Sequence, residues 1–357
     1  MCSESLNDSA TEPSSRVKFE EIRGIVESEF TVEEDLIEHN VPTFYVRLGQ
    51  NSKEAFLRLV KRLDAFGFVP VLRYKEGKAV LQIVHMPLIK YSRKIINWVL
   101  FLATIGTTLV TGYVLSLDLL DPLGGSVMFA VALLAILGSH EMGHTLAAKV
   151  HGVQSTLPYF IPGPPWPFGI GTFGAVIQQK SLAPNRDALF DIGVSGPIVG
   201  FVFTIIVTII GLQMSSVGPP PPEAFYIPVP LLFEFIAETL LSPSAGMAVM
   251  LHPVAFAGWV GMLVTTLNLV PIGMFDGGHA VRSLLGEKAQ AALSFISIMV
   301  LLLLGQFIMA ILAFLLSRYK HPGPLDDVSK LAVGRKLAVI ILVLVFALCA
   351  TSFWFLY

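Results

Sequence analysis

A His-Glu-x-x-His motif, His140-Glu141-Met142-Gly143-His144, sits inside a long apolar run. Val127 to Leu137 precede it, almost all Val, Ala, Leu, Ile, Phe and Met, and Thr145 to Ala148 follow. No proline interrupts the run, so it reads as a helix. One helical turn then separates His140 from His144 and puts both on one face, where two imidazole nitrogens can reach a single metal ion. Glu141 projects beside that position, where a carboxylate can take a proton from water. This is the arrangement of a zinc hydrolase. On a solvated helix the same residues would do nothing. In a membrane helix, two histidines and a carboxylate are costly unless paired or ligated, which makes them functional candidates.

The composition agrees with a membrane setting. Of 357 residues, 54% are hydrophobic and only 14% charged, as in a polytopic membrane protein. The formal net charge of −2 gives no reason to expect nucleic acid as a partner. Cys2 and Cys349 lie at opposite ends, so neither a disulfide framework nor a Cys-based zinc site can be built. Residues 1–16 are polar, acidic and Ser-rich, without a signal-peptide core or transit pattern, and are expected to form a disordered tail.

About half the charged residues precede Lys90, which marks off a small soluble α+β domain over residues 17–90. Val41 to Leu48 alternates like a strand. Lys53 to Phe66 shows a helical face of Phe56, Leu57, Val60, Leu63 and Phe66. Phe68 to Tyr74 and Ala79 to Val84 flank Lys75-Glu76-Gly77-Lys78 as a hairpin. Glu20 to Asn40 is expected to be helical in part. This domain carries no catalytic pattern, and a regulatory or docking role is expected for it.

Residues 91–357 hold the apolar stretches. Ile95–Leu115, Ser126–Val150, Asp187–Leu212, Ala245–Val270, Ala289–Leu316 and Lys336–Tyr357 are the six expected spans. Lys90-Tyr91-Ser92-Arg93-Lys94 is basic, and the loop Ser116–Gly125 has Asp118 and Asp121 but no Lys or Arg. The positive-inside rule therefore puts the N-terminal domain and the active-site side in the cytoplasm. The connection Ser317–Arg335 carries Arg318, Lys320, Lys330 and Arg335, yet counting spans puts it outside. A bend at Gly305-Gln306 would make the fifth stretch a short hairpin and bring that connection back.

Pro158, Pro162, Pro164, Pro165 and Pro167 forbid a long helix between the second and third spans. Gly169 to Ile177 reads as extended chain, so this segment is expected to be β-rich and membrane-associated. Such backbone at membrane depth needs protein or water around it. A strand edge beside a metal could take a substrate as an added strand; an ordinary re-entrant connector is the alternative. Asp191 to Pro197 supplies small residues suited to close helix packing.

Two histidines leave a catalytic zinc site one protein ligand short. His151, His252, Asp276 and His279 are the candidates. Asp276 follows a span that breaks at Pro271 and Gly273, and the break can turn its carboxylate toward the second span. Asp276 is the preferred third ligand and His279 its rival.

With these residues in place, the chain resembles the site-2 protease family of intramembrane zinc metalloproteases, from about Ile95 onward. His140-Glu141-Met142-Gly143-His144 and Asn268-Leu269-Val270-Pro271-Ile272-Gly273-Met274-Phe275-Asp276-Gly277-Gly278 carry the resemblance. It implies one zinc ion per chain on His140, His144 and Asp276, Glu141 as the base, and Asn268 as a substrate or oxyanion contact. Gly171–Ile177, Ser195-Gly196-Pro197 and His252-Pro253 resemble the branch shared by archaeal members and chloroplast homologues. Phe275 stands where Leu is usual, and His279 where that branch often has Arg. The implied substrate is a membrane protein with a transmembrane segment, met within the lipid bilayer. A prenyl protease of the CAAX type usually takes a Glu as third ligand, and no intramembrane Glu follows here. A metal transporter would want polar residues along a path, whereas these gather at one depth.

Overall fold

The computed structural model describes residues 19–86, 94–220, 226–317 and 322–350. The expected tail over residues 1–16 and the basic residues Lys90, Arg93, Arg318 and Lys320 lie outside the described residues. The chain divides into two compact units, Met1–Leu88 and Ile89–Tyr357.

The first unit runs α1 (Phe19–Glu27), β1 (Thr31–Glu38), β2 (Val41–Arg47), α2 (Ser52–Asp64), β3 (Phe68–Lys75) and β4 (Lys78–His85). Its four strands form an antiparallel sheet in the order β1-β2-β4-β3. Both hairpins close through two residues of positive φ, His39-Asn40 and Glu76-Gly77, as a two-residue turn matched to the strand twist requires. Thr31–Glu38 was not expected as a strand, because Glu33, Glu34 and Asp35 break the apolar alternation. β1 is an edge strand, where charge is tolerated and blocks further pairing. The buried face of α2 is Ala55, Phe56, Leu59 and Leu63. It is turned from the expected face, leaving Phe66 half exposed beyond the helix end. Phe56, Leu59 and Leu63 pack this unit's core with Phe44, Leu72 and Leu81.

The second unit contains α3 (Lys94–Leu115), α4 (Pro122–Val150), β5 (Tyr159–Pro162), β6 (Thr172–Val176), α5 (Arg186–Gln213), β7 (Ser216–Gly218) and α6 (Leu231–Leu241). It continues with β8 (Ala248–Met250), α7 (Pro253–Leu269), α8 (Asp276–Leu285), α9 (Glu287–Leu303), α10 (Phe307–Ser317) and α11 (Val333–Cys349). Among the described residues three helices, α3, α4 and α5, are long and apolar enough to cross a membrane. Their outward faces are rich in exposed Leu, Ile, Val and Phe, as in a membrane protein.

Two expected spans need correction. The fourth does not begin at Ala245: Ala248–Met250 pairs with Ser216–Gly218 as a small ribbon, and the helix starts at Pro253. His252 caps it, its Nδ1 accepting the Val254 N–H at 3.2 Å. Burial lowers the affinity of that imidazole for a second proton, which suits an acceptor. The fifth stretch is two helices, parted at Gly305, whose φ is 72°. The pair folds back, so that Ser317 lies against Gly273. The following segment reaches the start of α5, where Leu325 and Asp326 donate their N–H groups to Ala183 and Pro184. The bend at Gly305-Gln306 thus returns this connection to the end of the unit where α5 begins.

The centre of the unit is α4 packed between α5 and α7. Phe129, Leu133, Ile136 and Leu137 of α4 meet Val207 of α5 and Val260 of α7. Between α4 and α5, the proline-rich segment forms a two-stranded sheet, with Phe160 opposite Ala175 and Ile161 opposite Gly174. The strand covers Thr172–Val176, while Gly171 takes a φ of 84° in the turn before it. Side chains of α3 hold this sheet. Asn97 donates to the carbonyls of Leu157 and Pro158 at 3.0 and 3.1 Å, and Thr107 donates to Gly171 at 2.6 Å.

Candidate metal centre

His140, Glu141 and His144 lie on the inner part of α4, each no more than 7% exposed. They face the buried, apolar side of the helix, so such groups need partners. The partners come from three other elements.

The first is the chain break after α7. Leu269 ends the helix, Val270 is extended, and Gly273 has a φ of 41°. Ile272 and Phe275 close the turn by donating to Val270 and Ile272 at 2.7 and 2.9 Å. α9 braces it: Ser294 Oγ accepts the Gly273 N–H at 3.0 Å, and Gln290 donates to the Gly273 carbonyl at 3.3 Å. A side chain at Gly277 would collide with the carbonyl of Leu269, so only glycine lets α8 start this close to the end of α7. Asp276, the first residue of α8, is thereby aimed at α4.

Asp276 Oδ2 stands 3.3 Å from Nε2 of His140 and 3.3 Å from Nε2 of His144, and the two Nε2 atoms are 3.1 Å apart. Donors about 2.0–2.1 Å from a tetrahedral zinc ion stand about 3.3 Å from one another. His144 donates its Nδ1 proton to the carbonyl of Ile192 at 2.6 Å, which makes Nε2 the nitrogen that can take a metal ion. Two Nε2 atoms and a carboxylate oxygen this close together need protons or a metal ion among them. The donor set and its spacing therefore fit a zinc ion. His140, His144 and Asp276 form the one group among the described residues whose His, Cys, Asp or Glu atoms converge in this way.

The second partner element is α5. Gly193, Gly196 and Gly200 recur at helical spacing and present one face to the site. A Cβ at Gly196 would overlap Nε2 of His144, and a Cβ at Gly200 would stand 3.1 Å from Nδ1 of His140. The small residues of Asp191 to Pro197 were legible in the sequence as a packing surface. Their role as the wall of the metal centre was not.

The third is the small sheet. The backbone N–H of Ile177, just past β6, faces the Glu141 carboxylate. Among the described residues β6 pairs only with β5, so its other edge has no strand beside it. An open strand edge thus ends at the candidate base.

The remaining candidates are placed as follows. Asn268, near the end of α7, puts Nδ2 at 3.2 Å from Nε2 of His140. His279 lies one turn along α8 and donates from Nδ1 to the Phe275 carbonyl at 2.9 Å, outside the converging group. His151 pairs with Asp191 at 2.9 Å, and His252 caps the far end of α7.

Comparison with known proteins gives the same direction. Residues 128–312 match the profile of Peptidase family M50, just over half of the chain. A rice protein named probable zinc metalloprotease EGY1, chloroplastic (Oryza sativa subsp. japonica), is 32% identical over 63% of this chain and 40% of its own length. The Arabidopsis thaliana protein of the same name is 30% identical over 55% of this chain and 40% of its own length. Arabidopsis EGY2, also named a probable zinc metalloprotease, is 32% identical over 52% of this chain and 33% of its own length. The chain thus spans between a third and two fifths of the length of these relatives, and no solved structure matches it. The matched region contains His140, Glu141, His144, Asn268 and Asp276, and the chain belongs to Peptidase family M50, the family of the site-2 proteases.

Proposed function

We propose that this protein is an intramembrane zinc metalloprotease that hydrolyses peptide bonds within or near transmembrane segments of other membrane proteins. The observation that carries this reading is the convergence of His140, His144 and Asp276 beside a buried Glu141 on an apolar helix. His140, His144 and Asp276 hold the metal. Zinc, when bound, acts as a Lewis acid that makes water nucleophilic near neutral pH. Glu141 takes the proton of the attacking water and later delivers it to the leaving amine. Asn268 offers an amide N–H to the carbonyl oxygen as charge builds on it.

A transmembrane helix hides its carbonyls in internal hydrogen bonds, so the substrate must unwind locally before attack. The open edge of β6 supplies partners for the freed backbone groups, and it ends at Glu141. Substrate added as a strand here would be delivered directly to the base.

The family's chemistry and the apolar helices support a multi-pass protein, with α7, the α9–α10 pair and α11 completing about six membrane-embedded elements. The acidic first loop favours the N-terminal domain, residues 17–90, on the cytoplasmic side with the metal centre. A regulatory or docking role for that domain fits its lack of a catalytic pattern.

The test is zinc content and cleavage of a transmembrane peptide in detergent, for wild type and Glu141→Gln together. Wild type is expected to hold one zinc and to cleave. The variant should keep the zinc and lose ~10²–10⁴ in rate, the usual contribution of a positioned general base. A variant that cuts as fast as wild type, or that loses its zinc, would overturn the assignment.

A further inference from the structure

The metal centre does not account for Arg282. This residue lies in the last turn of α8 and is only 1% exposed. Its guanidinium is held by Asp327 through two bonds, Nη1 to Oδ1 at 2.9 Å and Nη2 to Oδ2 at 2.6 Å. Asp327 also takes Arg186, the first residue of α5. Arg186 Nε donates to Oδ1 at 3.1 Å, and its Nη2 donates to the Asp327 backbone carbonyl at 2.7 Å. The segment around Asp327 is itself fixed. Asp326 Oδ1 accepts the N–H groups of Val328 and Ser329, both at 2.9 Å.

Asp327 therefore bonds to two helices that meet at the metal centre from different sides. α5 supplies the Ile192 carbonyl that orients His144 and the glycine face against both imidazoles. α8 carries Asp276 as its first residue. The turn before α8 and the close approach of Gly193 fix its N-terminal end, and the ion pair fixes its C-terminal end against α5. A bidentate guanidinium–carboxylate pair does so, because its planar fork defines direction as well as distance. A buried ion pair adds little net stability, since desolvation offsets most of its attraction, and setting register is its better-attested use.

We infer that Asp327 is a positioning residue for the metal centre: by clamping Arg282 of α8 to Arg186 of α5, it holds Asp276 at ligand distance from His140 and His144. This rests on the metalloprotease reading, and the test separates the two.

Three proteins are compared in detergent: wild type, Asp327→Asn, and the double variant Arg282→Met with Asp327→Leu. The double variant replaces the buried Arg282–Asp327 pair with apolar groups, so no guanidinium is left unpaired at position 282, and the partly exposed Arg186 keeps its bond to the backbone carbonyl of residue 327. Folding is followed by helicity and thermal melting. The centre is followed by zinc affinity and by the visible absorption of the cobalt-substituted protein. Loss of a group that orients a ligand typically costs 10–100-fold in metal affinity. A zinc affinity lower by about that factor, with a shifted cobalt spectrum in a folded variant, is the expected result. A folded variant with wild-type affinity and spectrum overturns the inference.

A second measurement needs no substitution. Coupling between two sites is reciprocal, so zinc bound to the centre must steady the clamp. Hydrogen exchange at Val328 and Ser329 is expected to be slower in the zinc-loaded wild type than in the apo form. Equal exchange rates would also overturn the inference. A wild type that binds no metal at all would instead remove the metalloprotease reading beneath it.

Discussion

The carbonyl of Ile192 accepts the Nδ1 proton of His144 at 2.6 Å, and this one bond decides which ring nitrogen can face Asp276. The bond joins α5 to α4 and depends on how closely the two helices approach. Gly143 of α4 lies against the Ser195 carbonyl, and Gly196 of α5 lies under the His144 ring.

Gly196→Ala tests that approach. The added methyl would fall on His144 Nε2, so the ring must turn away from Ile192 or the helices must part. Zinc affinity is expected to fall by about 10–100-fold, as for other losses of ligand orientation. Equilibrium dialysis with a parallel helicity measurement decides the matter. Unchanged affinity would mean that α5 does not shape the centre.

Asp276 and His279 sit one turn apart on α8, and only Asp276 joins the converging group. Asp276→Ala should weaken zinc binding far more than His279→Ala. Metal content after dialysis against a chelator series ranks the two. A larger loss from His279→Ala would make that histidine the third ligand.

Ser294 supports the turn that presents Asp276. Its Oγ takes the N–H of Gly273, and Gln290 donates to that same Oγ at 3.3 Å. Ser294→Ala leaves the buried N–H unpaired, which costs about 1–3 kcal/mol. Thermal unfolding of the metal-free protein in detergent should show a loss in that range. No measurable loss would indicate that water reaches Gly273.

Phe173 of β6 is 74% exposed. Phe173→Pro removes a backbone donor from the strand. Cleavage of a transmembrane substrate should slow while zinc is retained, and Gly or Asn near the scissile bond should speed cleavage by wild type. Turnover that is indifferent both to the proline and to substrate helicity would rule out strand addition, and would leave the zinc chemistry standing.

Local pattern made part of this legible before any coordinates. The motif on α4 is a matter of one-turn spacing, and Pro271 with Gly273 marks the break that presents Asp276. The long apolar helices follow from run length. β1 was hidden because Glu33, Glu34 and Asp35 sit on an edge, where burial exerts no selection for alternation. The start of α7 was hidden because Ala248–Met250 is as apolar as the helix after it, and only pairing with Ser216–Gly218 marks it as strand. The Ile177 N–H on Glu141 and the Arg186–Asp327–Arg282 cluster were beyond reach for another reason. They join groups far apart in the chain, and one of them is backbone, so no residue type announces it.

The attachment of the small sheet has a mechanical result. β5 and β6 hang from α3 through Asn97 and Thr107, yet the end of β6 meets Glu141 on α4. The sheet is held from two sides: its polar anchors lie on α3, while Phe160 and Ala175 pack among side chains of α4 and α7. The register of the strand against the carboxylate is therefore set jointly by α3 and α4. Which bond of an unwound segment arrives at Glu141 is then a question of alignment between two helices.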